Sequence, residues 1–275
     1  MLSSQCFQNP PTLSSTCGAG TVQEFGGLQT YITGSPDSKL AIIFIADALD
    51  IAKMETSYTG IDHPINSTQL QGVMCNISEL RRLCVLEANI TRKLADKIAA
   101  AGFLVVVPDF FYGDPVIDPE DPNFDINSWL KVHNTDKGYE DAKAVIAALR
   151  SKGVSAIGAA GFCWGGMVLV KLASSTDLHA AVILHPGPIT EDQVNDVKVP
   201  IAILGAENDH IFPSEQLKHF GEKLSAKSEI DSFVKIFPGV GHGWTVKYKA
   251  DDESAVKSAE ESHSDMLNWF TKYVK

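Results

Sequence analysis

The segment 161–166 carries the residues with the clearest chemical potential. It reads Gly-Phe-Cys-Trp-Gly-Gly between a predicted strand and a predicted helix, which is the G-x-nucleophile-x-G form of a nucleophile elbow with Cys163 in place of serine. Small residues on either side allow a strained turn to lift the nucleophile above the sheet. The following helix N-terminus favours the thiolate. The sequence predicts that Cys163 is a nucleophile, and the alternative is a small buried side chain at a glycine-rich turn.

An acid and a histidine lie downstream of this elbow. Asp209 follows a predicted strand that ends at Leu204, and His242 follows another that ends at Phe237. Nucleophile, acid and base occur in this order in hydrolases that carry such an elbow. We expect His242 to take the thiol proton and return it to the leaving group, while Asp209 fixes the histidine tautomer and stabilises the imidazolium.

Other side chains compete for roles at the same place. Asp209 could instead cap a helix or lie in a solvated loop, with Glu207 as the rival acid. His185 follows another predicted strand and is a pocket candidate at the same rim, whereas His210 is a weaker one. Aromatic residues that could line an apolar pocket, or only fill the core, are Phe111, Trp129, Trp164 and Trp244.

Alternating strands and helices must position these residues. Continuous apolar or β-branched runs predict strands at 40–45, 103–108, 154–161, 180–184, 200–204 and 232–237. Apolar positions at helical spacing predict helices from Thr91, over 139–149, from Gly165, over 214–224 and from Asp252. This alternation indicates the α/β class, with a mostly parallel central sheet and helices on both faces.

The composition limits the partners and the cellular compartment that we expect for this protein. The 275 residues are 44% hydrophobic, enough for one domain over 1–275, and the formal charge of −11 without any Lys/Arg-rich run excludes a nucleic-acid partner. The apolar runs are strand-sized, so no membrane span is expected. Five cysteines without a short paired framework or a visible signal peptide favour a reducing compartment. We expect a cytoplasmic protein that is a monomer or weak oligomer.

The segment 47–86 does not fit this pattern. It has mixed polarity and no sustained period, and it is long for a structureless connection inside a compact domain. We interpret it as an atypical insert. It could be a lid, or an intrusion such as translated intron sequence.

Nearly all of the chain outside this insert resembles the dienelactone hydrolase family, and its plant-type members labelled endo-1,3;1,4-β-D-glucanase-like in particular. The resemblance is carried by the segments 108–115, 161–166, 205–213 and 238–244. It implies an α/β-hydrolase fold and hydrolysis of a small carboxylic ester or lactone through an acyl-enzyme intermediate. It implies no metal and no organic cofactor.

The resemblance also assigns roles that the residues alone do not. Glu87 would contact the resting cysteine, and the backbone N–H groups of Ala88 and Trp164 would form the oxyanion hole. Enzymes acting on dienelactone hold its carboxylate with arginines, one of them four residues after the histidine. That position is Val246 here, and we expect the adjacent Lys247 to point elsewhere. Dienelactone itself is therefore not the expected substrate.

Two further functions remain open at this point. A glycan hydrolase, as the plant label states, needs a pair of carboxylates. Asp109 and Asp114 are candidates, although aspartates in such a loop are commonly turn formers. The third hypothesis is a non-catalytic isoform disrupted by the insert.

Overall fold

The protein forms one mixed sheet flanked by helices, in a computed structural model that describes residues 18–48, 90–114 and 125–275. The strands are β1 (Thr21–Phe25), β2 (Leu28–Thr33), β3 (Leu40–Ile45), β4 (Leu104–Pro108), β5 (Ala156–Phe162), β6 (Ala180–Leu184), β7 (Ile201–Asn208) and β8 (Ser232–Gly241). The helices are α1, whose described part is 90–99, α2 (Ile126–Val132), α3 (Thr135–Ser151), α4 (Trp164–Leu172), α5 (Glu191–Asn195), α6 (Ser214–Ser225) and α7 (Glu253–Tyr273).

The strand order across the sheet is β1-β2-β4-β3-β5-β6-β7-β8. Strands β3 to β8 run parallel to one another, whereas β2 is antiparallel to both β1 and β4. The chain reverses its direction of travel across the sheet at β3, which lies between β4 and β5. In open α/β sheets, ligands bind at the carboxyl ends of the strands around such a reversal.

Both faces of the sheet are buried, as the sequence predicted. In β3, Ile43 and Ile45 contribute to one hydrophobic cluster, and Ile42 and Phe44 to the other. Side chains from α3, α4 and α6 cover the first face, and side chains from α1 and α7 cover the second. Because adjacent residues of a strand point to opposite faces, a strand buried on both sides reads as a continuous apolar run.

The sequence predicted the element order well but missed some elements. Strands β3 and β6 have the predicted bounds, whereas β7 and β8 continue to Asn208 and Gly241, so that Asp209 and His242 follow them directly. The hairpin β1-β2 and the short helices α2 and α5 were not predicted. Of the predicted insert, only positions 47 and 48 are described, and 49–89 lie outside the described residues. None of the described helices is both long and apolar enough to cross a membrane.

Candidate active site

Cys163 occupies a strained turn between β5 and α4. Its backbone dihedrals are φ 48° and ψ −108°, a region that residues other than glycine rarely adopt. Its N–H donates to the carbonyl of Leu184 at 3.2 Å, and its own carbonyl accepts the N–H groups of Gly166 and Gly187, each at 3.0 Å. These hydrogen bonds hold the turn in place and stabilise the unfavourable conformation.

The two glycines of the elbow are required by close backbone contacts. A Cβ atom on Gly161 would lie 2.4 Å from the carbonyl oxygen of Gly165, and one on Gly165 would lie 1.9 Å from that of Ile45. Neither side chain could be accommodated without moving backbone. Helix α4 therefore begins directly against the ends of β3 and β5, which fixes Cys163 at the reversal point of the sheet.

Asp209 and His242 are joined at the ends of β7 and β8. The Asp209 Oδ2 atom lies 2.8 Å from His242 Nδ1, and Asp209 Oδ1 accepts the N–H groups of Ile211 and Phe212 at 2.8 and 3.0 Å. The Asp209 side chain is only 1% exposed. Burial favours the neutral acid, but the hydrogen bonds from His242 and the backbone outweigh it and lower the pKa of Asp209 below its ordinary value. The aspartate is therefore ionised and bound to the histidine.

This pairing leaves the other nitrogen of His242 available. A neutral imidazole that donates from Nδ1 carries a lone pair on Nε2. The Nε2 atom is buried and has no hydrogen-bond partner within the described ranges. His242 is thus arranged to accept a proton at the carboxyl edge of the sheet, the edge that also carries Cys163.

The thiol of Cys163 is not acidic at rest. Burial raises its pKa well above the ordinary value, and the negative charge of Asp47 raises it further, while Lys247 and the N–H of Trp164 act in the opposite direction. The N–H of Trp164, at the start of the helix, favours the thiolate as the sequence predicted, but it is not the dominant influence. Desolvation outweighs the favourable helix end.

Sequence reasoning missed the pair formed by Asp47 and Lys247. Asp47 follows β3 with a side chain 1% exposed, and the Lys247 ammonium donates to its Oδ2 atom at 2.8 Å. The expectation that Lys247 points elsewhere is wrong, since its charge acts on both Cys163 and His185. Val246 is buried in the core. A polar residue two positions after a core strand at the reversal point was the signal that could have identified Asp47.

His185 lies beneath His242 and is buried away from the rim. It is 0% exposed, its Nε2 atom lies 2.8 Å from the Thr245 hydroxyl, and its ring centre lies 5.1 Å from that of His242 and 5.6 Å from that of Trp244. Burial lowers the pKa of His185 to about 3. It is therefore a neutral imidazole that supports the catalytic candidate from below.

Phe111 packs on the α4 side of the elbow. Its ring centre lies 4.8 Å from that of Trp164 and 5.1 Å from that of Trp129. The Trp164 indole donates to the His133 carbonyl at 2.9 Å. Phe111 is 2% exposed and Trp164 is 2% exposed, so these side chains belong to the core that supports the elbow. The backbone N–H of Trp164 faces the Cys163 sulfur closely enough to lower the pKa of the thiol.

The rival acid and the weaker histidine lie apart from this pair. Glu207 is exposed and accepts the N–H of Gly239 at 2.8 Å. His210 is exposed beside Asp209. Both predicted residues at 87 and 88 lie outside the described residues, so their roles as thiol partner and oxyanion donor remain predictions.

The proposed carboxylate pair of a glycan hydrolase lies in a turn. Asp109 accepts the N–H groups of Phe111 and Gly113 at 3.0 and 2.7 Å, as a turn-forming aspartate does. Burial nevertheless raises the pKa of Asp109 above its ordinary value. Asp114 contacts His133 at 2.9 Å.

The fold and the arrangement of residues define a hydrolase of the α/β-hydrolase fold. The sheet is mostly parallel, an elbow follows a central strand, and an aspartate and a histidine follow later strands in the chain order of that fold. The chain belongs to the dienelactone hydrolase family, whose sequence model matches residues 84–274.

Named relatives support this membership. The chain is 33% identical over 233 residues to an endo-1,3;1,4-beta-D-glucanase of Zea mays, covering 82% of this chain but only 64% of the maize protein. It is 34% identical over 187 residues to a carboxymethylenebutenolidase homolog of Mus musculus, covering 67% of this chain and 76% of the mouse protein.

Solved structures show the same fold at low identity. A dienelactone hydrolase-like promiscuous phosphotriesterase from metagenomic libraries superposes with a TM-score of 0.60 at 17% identity, covering 94% of this chain and 100% of the other. Est1E from Butyrivibrio proteoclasticus gives a TM-score of 0.53 at 15% identity, covering 92% of this chain and 99% of the other.

Proposed function

We propose that this protein hydrolyses a small carboxylic ester or lactone with Cys163 as the nucleophile, His242 as the base and Asp209 as the acid that orients the base. One observation carries the proposal. Asp209 holds His242 by Nδ1, and the Nε2 atom is buried without a hydrogen-bond partner among the described residues, at the sheet edge where Cys163 occupies a strained elbow. A thiol, an imidazole lone pair and a fixed carboxylate are the parts that nucleophilic acyl transfer requires.

The first half of the reaction forms a thioester. Because the resting thiol is protonated, His242 removes its proton as the sulfur attacks the acyl carbon. The N–H of Trp164 stabilises the oxyanion that develops, a contribution worth roughly 3 kcal/mol per donor. By family resemblance the N–H of Ala88 is the second donor. The imidazolium then gives its proton to the leaving alcohol oxygen as the carbon–oxygen bond breaks.

The second half regenerates the thiol. His242 takes a proton from water, and the resulting hydroxide attacks the thioester carbon. The carbon–sulfur bond then breaks, the imidazolium returns its proton to the sulfur, and the carboxylic acid leaves. The sequence of steps consumes one water and needs no redox partner.

The pair of Asp47 and Lys247 sets the charge around the thiol. The carboxylate raises the pKa of Cys163, and the ammonium lowers it. We infer that burial, reinforced by the Asp47 carboxylate and opposed by the Lys247 ammonium, keeps the thiol protonated between turnovers. A protonated thiol resists alkylation and oxidation because the thiolate is the reactive form.

The nucleophile is tested with Cys163→Ala against p-nitrophenyl acetate and butyrate. We expect kcat to fall at least about 10³-fold, the scale seen when the nucleophile of an acyl-transfer enzyme is removed. Cys6→Ala is the matched control and should retain full activity. Unchanged turnover in Cys163→Ala, with an unchanged melting temperature, contradicts the assignment.

A second candidate function is hydrolysis of a β-glucan, which the name of the maize relative describes for that protein. Burial of the Asp109 carboxyl favours it, because burial raises the pKa of that group and a general acid in glycoside hydrolysis needs a raised pKa. Release of reducing sugar from mixed-linkage glucan that survives Cys163→Ala and disappears in Asp109→Asn would favour this function over ester hydrolysis.

A further inference from the structure

Three potential metal ligands converge at the carboxyl edge of the sheet that also carries the candidate nucleophile. Asp47, His185 and His242 each offer one ligand atom, and these atoms all lie within 4.8 Å of one another. The three residues follow β3, β6 and β8, so they come from separate parts of the chain that meet only at the carboxyl edge of the sheet.

Each histidine has one nitrogen engaged and one available. His185 contacts the Thr245 hydroxyl through Nε2, and His242 contacts Asp209 through Nδ1. The opposite nitrogens, His185 Nδ1 and His242 Nε2, are buried without a hydrogen-bond partner in the part of the chain that is described. Histidines that bind metals characteristically use the second nitrogen for an outer hydrogen bond of this kind, which fixes the tautomer and the ring orientation.

We propose that Asp47, His185 and His242 bind a divalent cation of the Zn²⁺ type, with water completing the coordination. Two imidazoles and one carboxylate favour Zn²⁺ or Co²⁺ over Mg²⁺ or Ca²⁺, which prefer oxygen ligands. Because Zn²⁺ bonds to nitrogen and oxygen are about 2.0 to 2.2 Å long, the three side chains must draw slightly closer together on binding.

Lys247 opposes this binding. Its ammonium donates to Asp47 Oδ2, so a cation must share that carboxylate with a positive charge. Removal of the ammonium should therefore tighten metal binding, whereas neutralisation of Asp47 should weaken it. These opposite signs distinguish a built site from adventitious binding by surface histidines.

Metal binding would inhibit the proposed hydrolase. A cation on His242 Nε2 occupies the lone pair that would take the thiol proton, so ester turnover stops until the metal is removed. This consequence rests on the proposed function, but metal binding itself does not.

The experiment measures metal binding in the Cys163→Ala protein, where no thiolate can act as a ligand at the elbow. Co²⁺ is titrated while its visible ligand-field absorption is recorded, and Zn²⁺ is titrated by calorimetry. We expect one site per chain. The variants Asp47→Asn and His185→Asn, made in this background, should each weaken binding at least about tenfold. Lys247→Met should strengthen it. His219→Asn, which changes a half-exposed histidine on α6, is the control and should bind as the parent does.

The metal-binding results test the metal site independently of whether the protein hydrolyses esters. Loss of Co²⁺ binding in both Asp47→Asn and His185→Asn supports the site, whether or not the wild-type protein hydrolyses esters. Equal binding in these variants and the parent overturns it, as does loss of binding in His219→Asn alone. In the wild-type protein, ester turnover that Zn²⁺ abolishes and EDTA restores supports the inhibitory role, whereas turnover unaffected by saturating Zn²⁺ overturns that role.

Discussion

The end of β3 and the ends of β7 and β8 each carry a buried aspartate bound to a nitrogen-containing side chain, with different chemical consequences. Asp209 lies directly after β7 and Asp47 lies two residues after the end of β3. Both side chains are 1% exposed, and each contacts a basic group at 2.8 Å. The partner of Asp209 is a histidine, whose second ring nitrogen can accept a proton. The partner of Asp47 is a lysine, which stays charged. The first pair can transfer a proton, and the second sets a fixed electrostatic field.

The largest expected difference between Asp209 and Asp47 is the loss of kcat when each is replaced by asparagine. Asp209→Asn removes the carboxylate that orients His242, and we expect kcat for p-nitrophenyl butyrate to fall about 10³ to 10⁴-fold, as in other triads. Asp47→Asn leaves His242 and its partner in place, and we expect a loss below about tenfold, the scale of a modest change in nucleophile pKa.

Equal losses in the two variants would contradict this distinction. Melting temperatures measured in parallel identify variants that lose activity because they unfold. Glu207→Gln, which changes the exposed rival acid, is the control and should retain full activity.

His185 lies between the two pairs and should make stability depend on pH. The pKa of His185 falls from 6.5 to about 3 because the ring is fully buried. The unfolded chain therefore binds a proton below about pH 6.5 that the folded protein excludes, and stability falls as the pH decreases towards 3. Between about pH 7.5 and pH 5 this histidine alone should cost about 2 kcal/mol of unfolding free energy.

Urea unfolding of wild-type and His185→Asn proteins checks this prediction. Asparagine is chosen because it tolerates the positive φ of 37° at this position. The variant should lose about 2 kcal/mol less between the same pH values. An identical loss in both proteins would show that His185 is not the group excluded from protonation, and His210→Asn, at an exposed position, is the control.

The alkylation rate of Cys163 should depend on the charges of Asp47 and Lys247. At about pH 8, Asp47→Asn should alkylate at Cys163 with iodoacetamide several-fold faster than wild type, because a negative charge that raises the pKa of the thiol is removed. Lys247→Met should alkylate more slowly. Peptide mass spectrometry assigns the modified cysteine, and changes of the same sign in both variants would contradict opposing charges.

The smallest expected effect is a change in how steeply the unfolding free energy falls at acidic pH. The pKa of Asp209 lies below 3.8 in the folded protein, so its stabilising contribution is present above that pH and disappears as the pH falls through the lower folded value. Asp209→Asn should therefore lose stability less steeply than wild type below about pH 4. Acid titration followed by tryptophan fluorescence measures the difference, and parallel curves would contradict the lowered pKa.

The same comparison explains what the sequence could predict. The core strands are short runs of apolar residues, so β3 and β6 were predicted with their observed bounds. The hairpin β1-β2 was missed because β1 is largely exposed and polar. The sequence predicts the elements whose burial is recorded in a local pattern, and it missed β1, an edge strand whose side chains are mostly exposed.

The residues of the candidate site also fall into two groups, those that the local sequence marks and those that only the fold brings together. Cys163, Asp209 and His242 could be predicted because a local motif and a chain order mark them. Asp47 and Lys247 could not, because their contact joins positions 200 residues apart and depends on β3 lying beside β5. The protonated state of the thiol also depends on burial by distant parts of the chain, which no local motif records.

The central claim is that Cys163 carries the acyl group during turnover. It is tested most directly by acid quench of the wild-type protein in the presence of p-nitrophenyl butyrate, followed by peptide mapping with mass spectrometry. The account predicts a butyryl thioester on the peptide that contains Cys163, removed by hydroxylamine. An acyl group on a different residue, together with full turnover in Cys163→Ala, would contradict it.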